Sequence, residues 1–185
     1  MEKDKAKHLN RKVAISVALL STFMAVSKVK DDNLVQAMLQ AKTDAVDTWN
    51  EYQSKKLKHH LAATAISQDE VLRVIVPKSS AGILDAQIAA YRADITRYQR
   101  EEPELMAKAK EFESRYDQMN FRDDQFDLSD ACLSVSLMLL AVTALTLESW
   151  LLWGSWGLSG LGMVFGLAGF LGWSIHPDWL IRLLT

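Results

Sequence analysis

The sequence predicts an all-α membrane protein with three transmembrane helices and a long extramembrane antiparallel helical hairpin of coiled-coil character. Three observations carry this. Val13–Ser27, Ala131–Leu147 and Ser149–Ile175 are strongly apolar and free of charged residues within their cores. A charged segment of about 100 residues lies between the first and second of them, with Gly82 as its one glycine. Within that segment, apolar residues recur in alternating steps of four and three.

Crossing the hydrocarbon core as a helix takes about 17–25 apolar residues. The second and third stretches reach that length, and the first does so with its flanks. The expected organisation is a basic N-terminal flank (1–12), a first transmembrane helix (13–30), a helical hairpin arm (31–126) with its turn near 67–81, a second transmembrane helix (127–148), a third (149–175) and a C-terminal tail (176–185).

Charge sets the expected orientation. Lys3, Lys5, Lys7, Arg11 and Lys12 crowd the N-terminal flank, whereas the segment from Lys30 to Asp130 holds 14 Lys/Arg against 19 Asp/Glu, a net of −5. The positive-inside rule then places the N-terminus in the cytoplasm and the arm outside it, with Lys28 and Lys30 opposing. A basic start, an apolar run and Ala25-Val26-Ser27 also have the form of a secretory signal. Helix-compatible sequence continues past residue 27 without a break, which favours a retained anchor.

The arm is read from its periodicity. Leu84, Ile88, Tyr91, Ile95, Tyr98, Glu102, Leu105, Ala109, Phe112, Tyr116 and Met119 form one narrow seam of five heptads. Glu102 is its one charged member, and Pro103 beside it is expected to kink or interrupt the helix. A looser pattern upstream takes Val35, Leu39, Lys42, Val46, Trp49 and Gln53 as the facing seam. Ser67–Ala81, with Pro77 and a short β-type run at Val71–Val76, is the turn region. Antiparallel pairing about it makes facing residue numbers sum to roughly 147, which predicts Trp49 beside Tyr98 and Asp47 beside Arg97 or Arg100. The expected arm contact is carried by Trp49, Tyr52, Gln53, Leu84, Ile88, Tyr91, Ile95, Tyr98, Phe112 and Tyr116. A two-helix arm about 60 Å long buries little of its surface and calls for copies of itself or a partner.

The third apolar stretch holds seven of the eight glycines. Ser155, Ser159, Gly162, Gly166 and Gly169 step by 4, 3, 4 and 3, lining one face with small residues that let a second helix approach closely. Packing against the second span and association between protomers both fit this face. Trp150, Trp153 and Trp156 at one boundary, and Trp173 and Trp179 at the other, read as aromatic belts. Asp127 or Ser129 is a natural N-cap for the second span.

No motif nominates catalysis. GxSxG, GxxxxGK[ST] and GxGxxG are absent. His59 and His60 point about 100° apart on a helix and cannot chelate one ion together; with Lys55, Lys56 and Lys58 they read as a solvated face. The acidic runs Glu101–Glu104 and Asp123–Asp130 lack the spacing of a calcium loop. Cys132, the single cysteine, forms no intrachain disulfide and no metal site. The span cores carry no ionisable residue of the kind that couples transport. The chain is therefore expected to be no enzyme, with no cofactor, no metal, no nucleic-acid partner and no small-molecule substrate.

Trp49-Asn50-Glu51-Tyr52-Gln53 followed by Lys55-Lys56-Leu57-Lys58, the span after a basic N-terminus, and Phe126-Asp127-Leu128 before a terminal pair of apolar helices resemble a bacterial membrane family catalogued as domain of unknown function 4337. The resemblance covers nearly the whole chain in order, apart from Val71–Lys78 and the residues after Trp173. It implies a bacterial inner membrane, three spans and a helical extramembrane region, and it supplies no catalytic residue to carry over. The resulting expectation is a multi-pass inner-membrane protein in the lipid bilayer, acting as a self-associating scaffold or an accessory subunit of a larger membrane complex. The alternative is a small oligomeric channel or transporter component.

Overall fold

The structure, a computed structural model, describes residues 2–173 as three helices: α1 (Glu2–Ile75), α2 (Lys78–Thr146) and α3 (Ser149–Leu171). No strand occurs among the described residues. All three helices are long and apolar enough to cross a membrane. The last residues of the expected third span, 174–175, and the tail 176–185, with Trp179 and Arg182, lie outside the described residues. The chain divides into two compact units, Met1–Met38 with Asp117–Thr185, and Leu39–Tyr116.

In the Leu39–Tyr116 unit, two long helical stretches meet along one seam. On α2, every seam position from Leu84 to Tyr116 is buried or half-buried, with Ala109 fully buried and Tyr98 8 % exposed. On α1 the buried line is Ala41, Ala45, Thr48, Tyr52, Lys55, His59, Ala62 and Ile66, again in steps of four and three. This corrects the expected α1 seam by one position: Leu39, Lys42, Val46 and Gln53 are exposed, and Trp49 is half-buried at the edge. The physical reason is side-chain volume. The α2 seam supplies Tyr, Phe and Leu, and the facing line on α1 includes the small Ala41, Ala45, Thr48 and Ala62, which leave room for them.

Cross-helix contacts fix the pairing. The Trp49 indole N–H donates to Glu113 at 2.9 Å, the Lys55 ammonium to Glu101 at 2.7 Å, and Arg92 to Glu70 at 3.0 Å. Arg73 meets Asp85 at 2.7 Å. Facing numbers therefore sum to about 160, not 147, and the residue near Tyr98 is Lys55, its ammonium 5.9 Å from the ring centroid. Residues rise on one helix as they fall on the other, so the stretches run antiparallel. Part of the shift arises because α1 continues as helix through Val71–Ile75 and reverses only at Val76-Pro77. β-Branched residues disfavour a helix by only a few tenths of a kcal/mol each, which the Arg73–Asp85 and Arg92–Glu70 contacts on the final turns offset. Pro77 ends it, since the residue before proline is pushed out of helical conformation.

Pro103 does not interrupt α2. Its missing N–H leaves one carbonyl unpaired four residues earlier, and the helix is tied to α1 immediately beside it by Glu101–Lys55 and by Glu102, which meets His59 Nδ1 at 2.8 Å. The charged member of the seam is thus partnered within the chain.

In the other unit, α1, α2 and α3 pack around Val13, Leu20, Leu133, Leu140 and Leu152. Leu133 and Leu140 are fully buried. α2 and α3 are joined by Leu147 and Glu148 alone; Leu147 adopts a left-handed φ of 59°, and its N–H caps the Thr143 carbonyl at 2.9 Å.

Candidate functional site

The small residues of α3 define the closest helix approach. Ser155, Ser159, Gly162, Gly166 and Gly169 are all buried. A Cβ at Gly162 would lie 2.9 Å from Leu133 Cγ and 3.0 Å from Cys132 Cβ; one at Gly166 would lie 2.8 Å from the Phe23 ring and from Ser129 Oγ. At Gly169 the Phe126 ring stands 3.0 Å away. Ser155 Oγ donates to the Ser136 carbonyl at 3.0 Å, and the Trp156 indole donates to Ser16 Oγ at 2.9 Å. In this chain the face therefore seats α2 side chains, together with Phe23 of α1.

α2 in turn closes the end of α3. The Arg122 guanidinium donates to the Gly169 carbonyl from Nε at 3.1 Å and from Nη2 at 2.9 Å, and Gln125 donates to the Trp173 carbonyl at 2.7 Å. Gly172, at φ 68°, and Trp173, whose N–H reaches the Ala168 carbonyl at 3.0 Å, complete a left-handed cap. A cation on the last carbonyls also opposes the negative end of the helix dipole. Arg122→Ala should lower stability by about 2 kcal/mol, the scale of charge-assisted hydrogen bonds. Thermal unfolding in detergent, followed by tryptophan fluorescence, measures it; an unchanged midpoint would remove Arg122 from this role.

Beside this cap, ionisable groups gather. Lys28 donates to Asp31 at 2.8 Å and lies 3.5 Å from Asp32. The Asp31 side chain is 7 % exposed. From α2, the Asp123 carboxyl comes up against Asp31, with Asp124 and Asp127 nearby. Burial first, then the close approach of Asp31 and the surrounding negative charges, push Asp123 up to about 7. A cavity of about 10 Å3, lined in part by Ser27, Asp31 and Ser129, adjoins the group; that is room for about one water. The arrangement can hold and release a proton near neutral pH. Among the described residues no three His, Cys, Asp or Glu side chains gather at metal-binding spacing.

The expected arm residues fall into two sets. Trp49 and Tyr52 stack edge to face with centroids 5.5 Å apart, and Tyr52 lies on the buried line, with Leu84, Ile88, Tyr91, Ile95, Tyr98, Phe112 and Tyr116 on its α2 counterpart. Gln53 faces outward. The Lys42 ammonium sits 5.1 Å from the Tyr116 ring centroid. Sequence reasoning does not identify Arg122, Asp31 or Asp123 as partners; their contacts span 47 and 92 positions, and no local spacing signals them.

The model of the family described as domain of unknown function (DUF4337) matches residues 9–172. The chain belongs to this family. The match takes in the first two apolar stretches and most of the third, the charged unit between them, and both the Arg122 cap and the Asp31–Asp123 pair. DUF4337 thus spans residues of both compact units. Neither a curated protein nor a solved structure matches the chain.

Proposed function

We propose that this protein is a three-span membrane protein of the bacterial inner membrane whose antiparallel helical hairpin is a contact arm. It acts without catalysis, as a self-associating scaffold or an accessory subunit of a larger membrane complex. The N-terminus is cytoplasmic and the arm extracytoplasmic, following the basic flank at Lys3–Lys12. The observation that carries the reading is the construction of the Leu39–Tyr116 unit: two helices joined by one seam, with Leu39, Val46, Leu57 and Leu61 left 48–62 % exposed. Such a unit offers a long surface with apolar positions open along it. Surface of this kind favours a protein contact over a reaction site.

Native mass spectrometry of the tagged full-length protein, extracted gently from its own membranes, tests this. A mass of several copies supports the scaffold, and a mixed mass supports the accessory subunit and identifies its partner. A single-chain mass under conditions that preserve a known complex from the same membrane would overturn both.

A further inference from the structure

The outer side of α1 carries a second line of residues that the packing within the chain does not use. Leu39, Val46, Leu57, Leu61, Val71 and Ile75 are between 48 and 75 % exposed. Thr43, Asn50, Gln53, Thr64 and Gln68 fill the gaps, all exposed. Together they step by 4, 3, 4, 3, 4, 4, 3, 4, 3 and 4, and none is charged. Every Lys, Arg, Asp and Glu of this stretch falls outside the line. A solvated helix face of that length, in a segment this rich in charge, would be expected to carry several of them. The buried line toward α2 has the same rhythm at other positions, so α1 has two seams and one of them is open.

We propose that this open line, from Leu39 to Ile75, is a parallel, in-register seam for α1 of a second copy of the chain. The inference rests on the reading of the chain as membrane-anchored and self-associating. Anchoring makes the α1 helices of two copies run in the same direction, and it raises their effective concentration. In that arrangement each residue meets its own counterpart, so apolar positions match along the whole line. Asn50 takes an a position, where a paired asparagine fixes a two-stranded parallel register. Exposed Lys42 and Asp47 flank the line at g and e positions five residues apart, so each lysine, swung from its place over Tyr116, would face the other copy's aspartate, twice per pair. The extra step of four around Leu57 lengthens the repeat to eleven locally, which straightens the supercoil without ending it.

Single-cysteine variants in a Cys132→Ser background, oxidised in isolated membranes, test the seam. Val46→Cys, Leu57→Cys and Val71→Cys should each give a disulfide-linked dimer, while Glu51→Cys, exposed on another face, should give none. A dimer at Leu57→Cys alone would mean antiparallel pairing and would overturn the proposal. So would equal linkage at Glu51→Cys. If native mass shows several copies but none of the three variants links, this seam is wrong while self-association stands. If native mass shows one copy and no variant links, both fail. Leu57→Glu with Leu61→Glu provides the converse: both side chains are exposed, so helix content and unfolding midpoint should hold while the assembly falls apart. Retention of the full assembly in that variant would overturn the seam.

Discussion

Gly162→Leu should disrupt the packing of α3, whereas Gly160→Leu, two residues away on the same helix, should be tolerated. A Cβ at Gly160 meets nothing within 4 Å, while one at Gly162 would lie 3.0 Å from Cys132 Cβ and 2.9 Å from Leu133 Cγ. Cys132 Cβ is fixed to the α2 backbone, so no rotamer change moves it, and Leu133 is fully buried, which leaves its Cγ little room to swing aside. Replacing glycine by leucine inside a helix gains up to about 1 kcal/mol of propensity. Forcing extra methylenes into a packed core costs about 1–3 kcal/mol, and more where the backbone must shift. For Gly160 only the gain applies. For Gly162 a whole leucine side chain meets a closed contact, so the loss exceeds the gain and α2 and α3 must separate. Thermal unfolding of the two variants in the same detergent compares them directly; equal midpoints would show that this face is not a tight contact.

The second large effect is a dependence on pH centred on Asp123. Its carboxyl is pushed from its ordinary value of 3.8 up to about 7 in the folded chain. The folded state therefore binds a proton that the unfolded state has released, so stability is fullest below about pH 4 for this group and falls as pH rises toward 7. The groups facing it are Asp31 from α1, itself paired with Lys28, and Asp124 and Asp127 from α2; α3 has no ionisable side chain between Ser149 and Leu171. Allowing for solvent screening around a half-buried group, the loss between pH 5 and 8 should be about 1–2 kcal/mol. Asp123→Asn keeps a donor toward Asp31 and cannot ionise, so its profile should be flat over the same interval and it should exceed the parent at pH 8. Glu101 acts with the opposite sign: the Lys55 hydrogen bond holds its carboxyl below the ordinary range, so its contribution is lost only as pH falls below about 4.5. The interval from 5 to 8 separates the two. A parent protein whose stability does not fall across it would refute the upward push on the Asp123 carboxyl.

Much of this architecture is readable from residue order. The seam on α2 is legible because large apolar residues mark it at nearly every heptad. The seam on α1 sits one position away from where bulk alone puts it, because alanine, threonine, lysine and histidine carry most of it, beside Tyr52 and Ile66, while Leu39 and Val46 lie outside. Bulk marks a buried face only when the partner helix has not already supplied the volume. The β-type run Val71–Val76 misleads for a related reason: its propensity is weak, and ion pairs to α2 hold those turns in a helix. Pro103 follows the same logic, with its break offset by contacts from α1 to the residues just before it.

By itself the sequence determined that the chain is helical, that three stretches are long and apolar enough to cross a membrane, and that α2 presents one regular seam. These follow from composition and period, which act over neighbouring residues. Only the tertiary structure decided the register of α1 on α2, the seating of Gly162 and Gly166 against Leu133 and Phe23, the Arg122 cap on α3, and the meeting of Asp31 with Asp123. Each of these joins residues from different helices, and the distance between such residues is set by how whole faces fit together rather than by any local pattern.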